Sequence, residues 1–502
     1  MRKVVLLSAV ILLVLGGAGI ASGQSQNELV VVQSAEINAL DPAKHNSVPD
    51  INYAMQVFEA LYSRDDQGKP VPRLVLSQKI INPTTWEFKL RPGVKFHNGA
   101  TMTAKDVKFS IDRMIDPQTK AFFAPFWTTF KEVKVIDNST VEIITKVPDP
   151  LLLKRLAWGF YIMPADLFQE KGAEAFFKHP VGTGPYKFVS WARNDRMVLE
   201  ANEAYWDGAP KIKRLILRAI PEAATRLAEL QTGNADIVVG IPPFLVDQVE
   251  NSPTTTVQSV PSGRVMFLYI NCLAKGPLQD KRVREALNYA VNRKAIIDSM
   301  LKGSGVETAL NLTPYHFGYD PSLKPYAYDP ARAKQLLADA GYRNGLKLVF
   351  NTPNGRYMLD KEISMAIAGM FREVGVETEM RVVEWGAYVQ IINMSKTLQD
   401  LGLMGWGNSL SDADGTFTPF FTPDSAFSYY NTPALTDKII KARTAMDEKV
   451  RIGLYKEIQK TLFEEAPLVY LYQQVDHYGV SRKVKGFRAR GDEWLIVYKA
   501  TK

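Results

Sequence analysis

Alternation of apolar and polar residues is the main pattern in the first part of the chain. In "WEFKL" (86–90) three large apolar residues alternate with two charged ones, which is the period of a half-buried strand. The turn pair "PG" and the alternating "VKF" follow, so the pattern predicts a hairpin over 86–96. Thr103 and Asp106 have the spacing of a capping box, which predicts a helix from about Ala104.

The pattern changes after about residue 210, where helical periodicity alternates with apolar runs of strand length. Residues 281–301 place their apolar side chains on one face and predict a single amphipathic helix. Residues 329–341 have an aspartate at the N-cap, a proline at the first helical position and a glycine past the end. Helix followed by strand recurs in 360–385 and 450–473. This order predicts an α/β architecture.

The N-terminus has the features of a secretory signal peptide. Arg2 and Lys3 precede a long apolar run, and small residues at Ala21 and Gly23 predict cleavage after Gly23, so that residues 1–23 are removed. An uncleaved anchor is the alternative, because the run is close to the ~20 residues that span a membrane. No cysteine ends the run, which argues against a lipid anchor. The mature protein is therefore expected in the periplasm.

Composition and charge argue against several other classes. The chain has 502 residues, of which 46% are hydrophobic and 23% charged, as in a globular protein with ample core. The formal charge is +8, but the basic residues form no run of five or more, so no nucleic-acid partner is expected. Cys272 is the one cysteine, so no intramolecular disulfide can form, and its apolar surroundings predict a buried residue.

The sequence has no motif for catalysis, a metal or a cofactor. None of the histidines has the spacing of a tight zinc site. "VGTGPY" (181–186) lacks the third glycine of a dinucleotide fingerprint, and neither a Walker A sequence nor G-x-S-x-G occurs. "SLSDADG" (409–415) is acidic, but a calcium loop with Gly415 sixth would have Leu410 first and Phe421 twelfth, without ligand oxygens. No catalytic residue, metal or cofactor is predicted, and an enzyme is not expected.

Eight phrases in order resemble one family, the ABC-transporter extracellular solute-binding proteins of the dipeptide, oligopeptide and nickel class (family 5). The resemblance covers the mature chain and rests on "LDPAKHN", "VFEALY", "WEFKLRPGVKFHNGATMTAKDVKFSIDR", "VGTGPYKFVSW", "YWDGAPKIKRLILRAIPEAATRLAELQTGNADI", "DKRVREALNYAVNRKAII", "YDPARAKQLLADAGY" and "EEAPLVYLYQ". One phrase alone is weak evidence, whereas eight in the right order are specific.

The resemblance implies a two-lobed periplasmic-binding-protein fold of the class II type, with an extra small α/β domain. Two lobes joined by crossing segments would close around a solute. The limits that we expect are 24–53, 179–260 and 478–502 for lobe I, 54–178 for the extra domain and 261–477 for lobe II.

The resemblance also implies a function. The protein would be the periplasmic solute-binding component of an ABC importer, a monomer that captures a peptide between its lobes and delivers it to permease subunits in the membrane. The alternative is the same fold with a non-peptide solute such as an opine, a sugar derivative, glutathione or a metal chelate. A secreted hydrolase is a third and weaker hypothesis, since no nucleophile motif is present.

The segment "GWGNS" (405–409) is the first candidate for the ligand site. Peptide binders of this family place an aspartate soon after the tryptophan, where it pairs with the α-ammonium of the peptide. Ser409 stands at that position here, and a hydroxyl lacks the charge-assisted hydrogen bond. Either Asp412 reaches back to the ligand, or the ligand has no free amino terminus. Trp406 and Asn408 belong to the same candidate site.

Five further positions complete the predicted site. Arg356 is a candidate clamp for a carboxylate or another anion, with a surface salt bridge as the alternative. Trp385 and Tyr388 would line the cleft or pack in the core. Tyr269 follows an expected lobe crossing, and Asn46 lies in the entry loop that lines the cleft in relatives.

Overall fold

The computed structural model describes residues 27–45, 47–122 and 124–502. The predicted signal peptide lies outside these residues. The strands are β1 (Glu28–Gln33), β2 (Tyr62–Arg64), β3 (Pro70–Pro72), β4 (Val75–Asn82), β5 (Thr85–Leu90), β6 (Phe130–Asp137), β7 (Thr140–Thr145), β8 (Tyr186–Ala192), β9 (Arg196–Ala201), β10 (Arg214–Ala219), β11 (Ile237–Val239), β12 (Thr255–Ile270), β13 (Gly305–Glu307), β14 (Leu346–Pro353), β15 (Val376–Val383), β16 (Leu401–Trp406) and β17 (Leu468–Ser481).

The α-helices are α1 (Val48–Val57), α2 (Ala104–Ile115), α3 (Leu152–Leu156), α4 (Ala165–Phe176), α5 (Ala223–Gln231), α6 (Val246–Glu250), α7 (Lys281–Ala290), α8 (Arg293–Ala295), α9 (Pro330–Asp339), α10 (Asp360–Glu373), α11 (Trp385–Val389), α12 (Asp414–Phe421), α13 (Pro433–Thr444) and α14 (Glu448–Glu465). Strands and helices alternate through the second half of the chain, so the predicted α/β class is confirmed.

One large mixed sheet organises the molecule, in the order β15-β14-β16-β12-β17-β11-β1-β10-β9-β8, with β13 beside β17. Strands β14 and β15 run parallel, as do β1 and β10, and each pair belongs to a different half of the sheet. Each half has buried apolar clusters, built from α7, α9, α10 and α14 in one half and from α1 and α5 in the other. The two halves are the two lobes of the fold.

Two long strands join the lobes. β12 and β17 pair antiparallel from Thr255 opposite Ser481 to Tyr269 opposite Leu468, and their register shifts between Pro261 and Val265. A register shift of this kind bends and twists a strand pair. The shift therefore places a bend in both connecting strands between the lobes. The exact domain limits inferred from sequence stay a prediction.

The extra small unit is built on a second sheet, in the order β4-β5-β7-β6, with α2 packed on one face. The capping box at Thr103 and Asp106 is present, so the predicted helix start is confirmed. The predicted hairpin over 86–96 is wrong: β5 pairs with β4 and β7, whereas the segment after it forms only a bridge between Lys95 and Thr101. Alternation identified the strand but not its partners.

The predicted single helix over 281–301 is interrupted. α7 ends at Ala290, and the chain turns at Val291 and Asn292 before a second helical segment begins. The Asn292 side chain accepts a hydrogen bond from the backbone N–H of Ala295, so it caps the new helix. Both segments bury apolar residues in the same cluster, which is why the helical pattern runs across the break.

Candidate functional site

Residues of both lobes and of the extra unit line a cavity of about 190 Å³, here called the central cavity. Its wall contains the first turn of α1, the β12 strand near its register shift, the loop after β14, the end of β16 and the C-terminal segment 491–494. Aromatic rings and charged groups alternate around it, which is the composition of a site for a small polar solute.

Arg356 is the cation of this wall that meets no carboxylate within 4.0 Å in the described part of the chain. Its guanidinium lies 5.1 Å from the ring centroids of Tyr357 and Trp385, and the side chain is exposed. The backbone N–H groups of Gly355, Arg356 and Tyr357 all donate to Asp360, which fixes the loop. Arg356 is therefore held in place by its backbone while its charged end stays available.

The cavity walls displace part of the water around the Arg356 guanidinium and lower its pKa, although the residue as a whole stays exposed. The positive charge of Arg264 acts in the same direction. Tyr357, Glu493 and Asp360 oppose the shift. The side chain remains a cation at neutral pH, because an arginine starts from a very high pKa. An incoming anion would relieve the repulsion between the two guanidinium groups.

A second arginine of the wall is already paired. Arg264 donates to Glu493 at 2.9 Å, and Asp476 lies beside them on β17. Burial lowers the pKa of Arg264, but Glu493 and its neighbours more than offset this and raise it. Burial and then repulsion by Glu493 raise the pKa of Asp476 to about 7, against the effects of Gln474 and Arg264. This cluster lies where the strands cross between the lobes.

A third arginine, Arg64, closes the other end of the central cavity. Its Nη1 donates to the carbonyl oxygen of Ser409 at 2.7 Å and to Ser411 Oγ at 3.1 Å. Its guanidinium carbon lies 3.9 Å from the ring centroid of Trp494, and its Nε is 4.0 Å from Asp492. Arg64 thus joins the extra unit, the C-terminal segment and the loop after β16.

Three of the residues predicted from sequence lie at the end of β16 and the start of that loop. Trp406 lines the cavity, and its indole N–H donates to the carbonyl of Gly415 at 2.9 Å. Asn408 also lines it, but its amide donates to Asp412 O at 2.7 Å and Thr416 Oγ1 at 2.9 Å, so it holds the loop together. Ser409 is exposed to the cavity. Together with Arg356 and Trp385, these positions are brought to one site.

Asp412 does not reach the central cavity. It is fully buried and accepts hydrogen bonds from Arg451 at 2.9 and 3.0 Å, from Tyr455 at 3.0 Å and from the backbone of Asp414 at 3.1 Å. Lys154 Nζ lies 3.1 Å from its other side. Burial raises the pKa of Asp412, but the charges of Lys154 and Arg451 outweigh it and hold the pKa low. Its expected role as partner of a ligand ammonium is replaced by a structural one.

Tyr269 and Tyr388 also lie away from the cavity. Tyr269 is 1% exposed and packs against Phe420 and Tyr429, while Tyr388 is fully buried and donates to Leu403 O at 2.7 Å. Both are core residues. For Tyr388, packing in the core was one of the two positions expected from the sequence. The remaining prediction, Asn46, lies outside the described residues.

Sequence reasoning missed the part of the wall that the C-terminus supplies. Asp492, Glu493 and Trp494 line the cavity, as do Arg64 and Arg264. The available signal was the dense mixture of charges and a tryptophan in "RARGDEW" (488–494).

In the parts of the chain that the structure describes, no three histidine, cysteine or acidic side chains group as a metal site. No helix there is long and apolar enough to cross a membrane.

The two-lobed fold with an interlobe cavity is that of a periplasmic solute-binding protein. The chain matches the family described as bacterial extracellular solute-binding proteins, family 5 Middle, over residues 69–428. The glutathione-binding protein GsiB of Pectobacterium atrosepticum is 29% identical over 478 residues, covering 93% of this chain and 92% of that protein. Heme-binding protein A of Haemophilus influenzae is 30% identical over 438 residues, covering 80% of this chain and 78% of that protein.

Among solved structures, the periplasmic binding protein DppA of Helicobacter pylori in complex with the peptide STSA is similar, with a TM-score of 0.82 and 26% identity over 94% of this chain and 98% of that one. The family match extends over more than half of the chain. This protein therefore belongs to family 5 of the bacterial extracellular solute-binding proteins, which confirms the resemblance read from its sequence.

Proposed function

We propose that this protein is the periplasmic, monomeric solute-binding component of an ABC importer, and that its solute is a short peptide or peptide-like compound with at least one free carboxylate. The solute binds in the central cavity between the lobes and stabilises their closed arrangement, because both lobes contact it at once. The loaded protein then delivers the solute to the permease subunits. Binding is reversible and involves no bond chemistry.

Arg356 is the observation that carries this proposal. It faces the central cavity, it is exposed, and within the described residues no carboxylate neutralises it. A guanidinium presents paired N–H donors that match the two oxygens of a carboxylate. Trp385 and Tyr357 beside it offer flat apolar surfaces for the rest of the solute.

The other charges of the wall support an anionic solute. The charged residues that line the wall are three arginines and two acids, so their formal charges sum to one positive unit. Arg264 is paired with Glu493 at 2.9 Å, and Arg64 lies 4.0 Å from Asp492. Glu493 is the carboxylate best placed to exchange its arginine for a ligand ammonium, since its side chain is 21% exposed. Glutathione combines two carboxylates with one ammonium, and the similarity to GsiB makes it the first solute to test.

Isothermal titration of the mature protein with glutathione and with glycylalanine tests this proposal. Arg356→Gln should weaken binding by about 1.5–3 kcal/mol, the range for a charged hydrogen bond. The matched control is Arg343→Gln, because Arg343 is an exposed arginine of the same lobe that does not line the cavity. Glycylalanine amide, which lacks the carboxylate, should bind wild type and Arg356→Gln equally weakly.

One observation favours the alternative of a non-peptide solute. No carboxylate follows Trp406 at the position of Ser409, and Asp412 is already satisfied by Arg451 and Lys154. A solute without a free α-ammonium, such as an opine or a metal chelate with carboxylates, would need no such partner. Binding of these compounds but not of peptides would select this alternative, and turnover of any peptide or ester would instead support a hydrolase.

A further inference from the structure

A second cavity, of about 350 Å³, lies beside the central cavity and is here called the inner cavity. Its lining comes from the segment 55–73, from Ala157 and Tyr161, from Pro185 and Tyr205, and from the C-terminal segment 494–499. Within the described chain, none of the lining residues belongs to 261–477, the expected second lobe. The inner cavity is therefore formed without that lobe and does not depend on lobe closure for its walls.

The two cavities share a wall made of Arg64 and Trp494, which line both. Both side chains are buried, and the guanidinium stacks on the indole at 3.9 Å. The hydrogen-bond acceptors that fix Arg64 are the Ser409 carbonyl and the Ser411 hydroxyl, on the loop after β16. That loop belongs to the opposite lobe, so separation of the lobes would remove both acceptors from the guanidinium.

Two charged groups of the inner cavity, Glu59 and Arg73, are already satisfied. Glu59 accepts hydrogen bonds from Arg73 at 3.1 Å, Tyr205 at 2.8 Å and Trp206 at 2.9 Å. Arg73 also donates to Asp207 at 3.1 Å. Burial raises the pKa of Glu59 against the opposing charge of Arg73. Glu59 and Arg73 form a closed network with these partners, so neither is free to anchor a ligand in this cavity.

Much of the remaining wall is apolar or aromatic, although Gln56, Ser63, Asp65 and Lys499 also line the cavity. Phe58, Tyr161, Leu495 and Tyr498 face the space, and Trp494 forms its boundary with the central cavity. Aromatic walls favour a ring that can stack or meet them edge to face. An apolar cavity of about 150 Å³ is enough to hold benzene, and the inner cavity is larger than that.

We propose that the inner cavity is a subsite for an aromatic or apolar ring carried by the solute, with the Arg64–Trp494 stack as its gate. In the open protein the freed guanidinium moves aside and admits the ring. In the closed protein it returns to Ser409, or to the solute's own oxygens. This subsite rests on the proposed function, because the ring and the carboxylate belong to the same solute.

The first test uses para-fluorophenol, a neutral ring that needs no carboxylate site, followed by fluorine NMR on the mature protein. Val71 lines the inner cavity and is 39% exposed, so Val71→Trp fills it from the surface. The matched control is Val382→Trp, on a 46% exposed strand position of the other lobe. We expect Val71→Trp to weaken phenol binding at least about fivefold and the control to leave it unchanged. Val71→Met adds less volume to the cavity than Val71→Trp, so it should weaken phenol binding by an intermediate amount.

The second test compares glycylphenylalanine with glycylalanine by isothermal titration. Wild type should prefer the aromatic dipeptide, and Val71→Trp should lose that preference while keeping its affinity for glycylalanine. If neither dipeptide nor glutathione binds but the phenol binds as expected, the proposed function fails and the inner site stands. Two results would overturn the inner site and leave the proposed function standing. In both, the dipeptides bind; either the phenol does not bind at all, or it binds Val71→Trp and wild type equally.

Discussion

Asp412→Asn separates a structural role for this carboxylate from a ligand-binding one. The substitution removes the negative charge between Arg451 and Lys154, and it directs an amide N–H toward one of the two cations. Breaking a buried ion pair from one side costs about 3–5 kcal/mol, because the partner charges stay buried without compensation. Asp412 is fully buried, so solvent does not screen this loss.

The size of the chain sets the expected change in melting temperature. Unfolding entropy is about 2.1 cal/mol/K per residue, or about 1 kcal/mol/K for a mature chain of this length, so the midpoint should fall by about 3–5 °C in calorimetry if the protein unfolds as one unit. Asp424→Asn, at an exposed position, is the matched control and should leave the midpoint unchanged. An unchanged midpoint together with a tenfold weaker affinity for glutathione would contradict the structural role and return Asp412 to the ligand site.

Two further predictions concern the lobe crossing and the packing of the "GTG" segment. The pKa of Asp476 is raised from 3.8 to about 7, so ionisation of this carboxyl group destabilises the folded state as pH rises from about 4 to 7. Asp476→Asn should therefore gain melting temperature relative to wild type across that window, and a constant difference from pH 4 to 8 would contradict this. Gly182→Ala should destabilise the protein by about 3 kcal/mol or more in urea unfolding, because the new Cβ would lie 2.1 Å from the carbonyl oxygen of Val57. The control Gly369→Ala, with open space around it and an ordinary helical backbone in α10, should cost nothing.

The elements with their own periodicity were predictable from the sequence. The helix α9 begins where Asp329 accepts a hydrogen bond from the N–H of Arg332, and α2 begins at its capping box. Both signals lie within a few residues, so no tertiary contact is needed to read them. The pairing of β5 with β7 was not predictable in this way, because it joins segments about fifty residues apart.

The site was predictable only where its residues lie in recognisable segments. Arg356, Trp385, Trp406 and Ser409 lie on the wall of the central cavity, whereas Asp412 turns away from it because Arg451, on a distant helix, binds it. The contribution of Glu493 depends on the C-terminal segment folding back against Arg264. Spacing along the chain carries no information on such distant pairings.

Capture of a carboxylate-bearing solute by Arg356 is the proposal on which the function rests. Native mass spectrometry of wild type and Arg356→Gln, both purified from the native host, followed by gentle denaturation to release bound compounds, tests it most directly. We predict that wild type carries an acidic solute and that Arg356→Gln carries much less of it. Equal loading of the two proteins, or a released solute without any acidic group, would contradict the account.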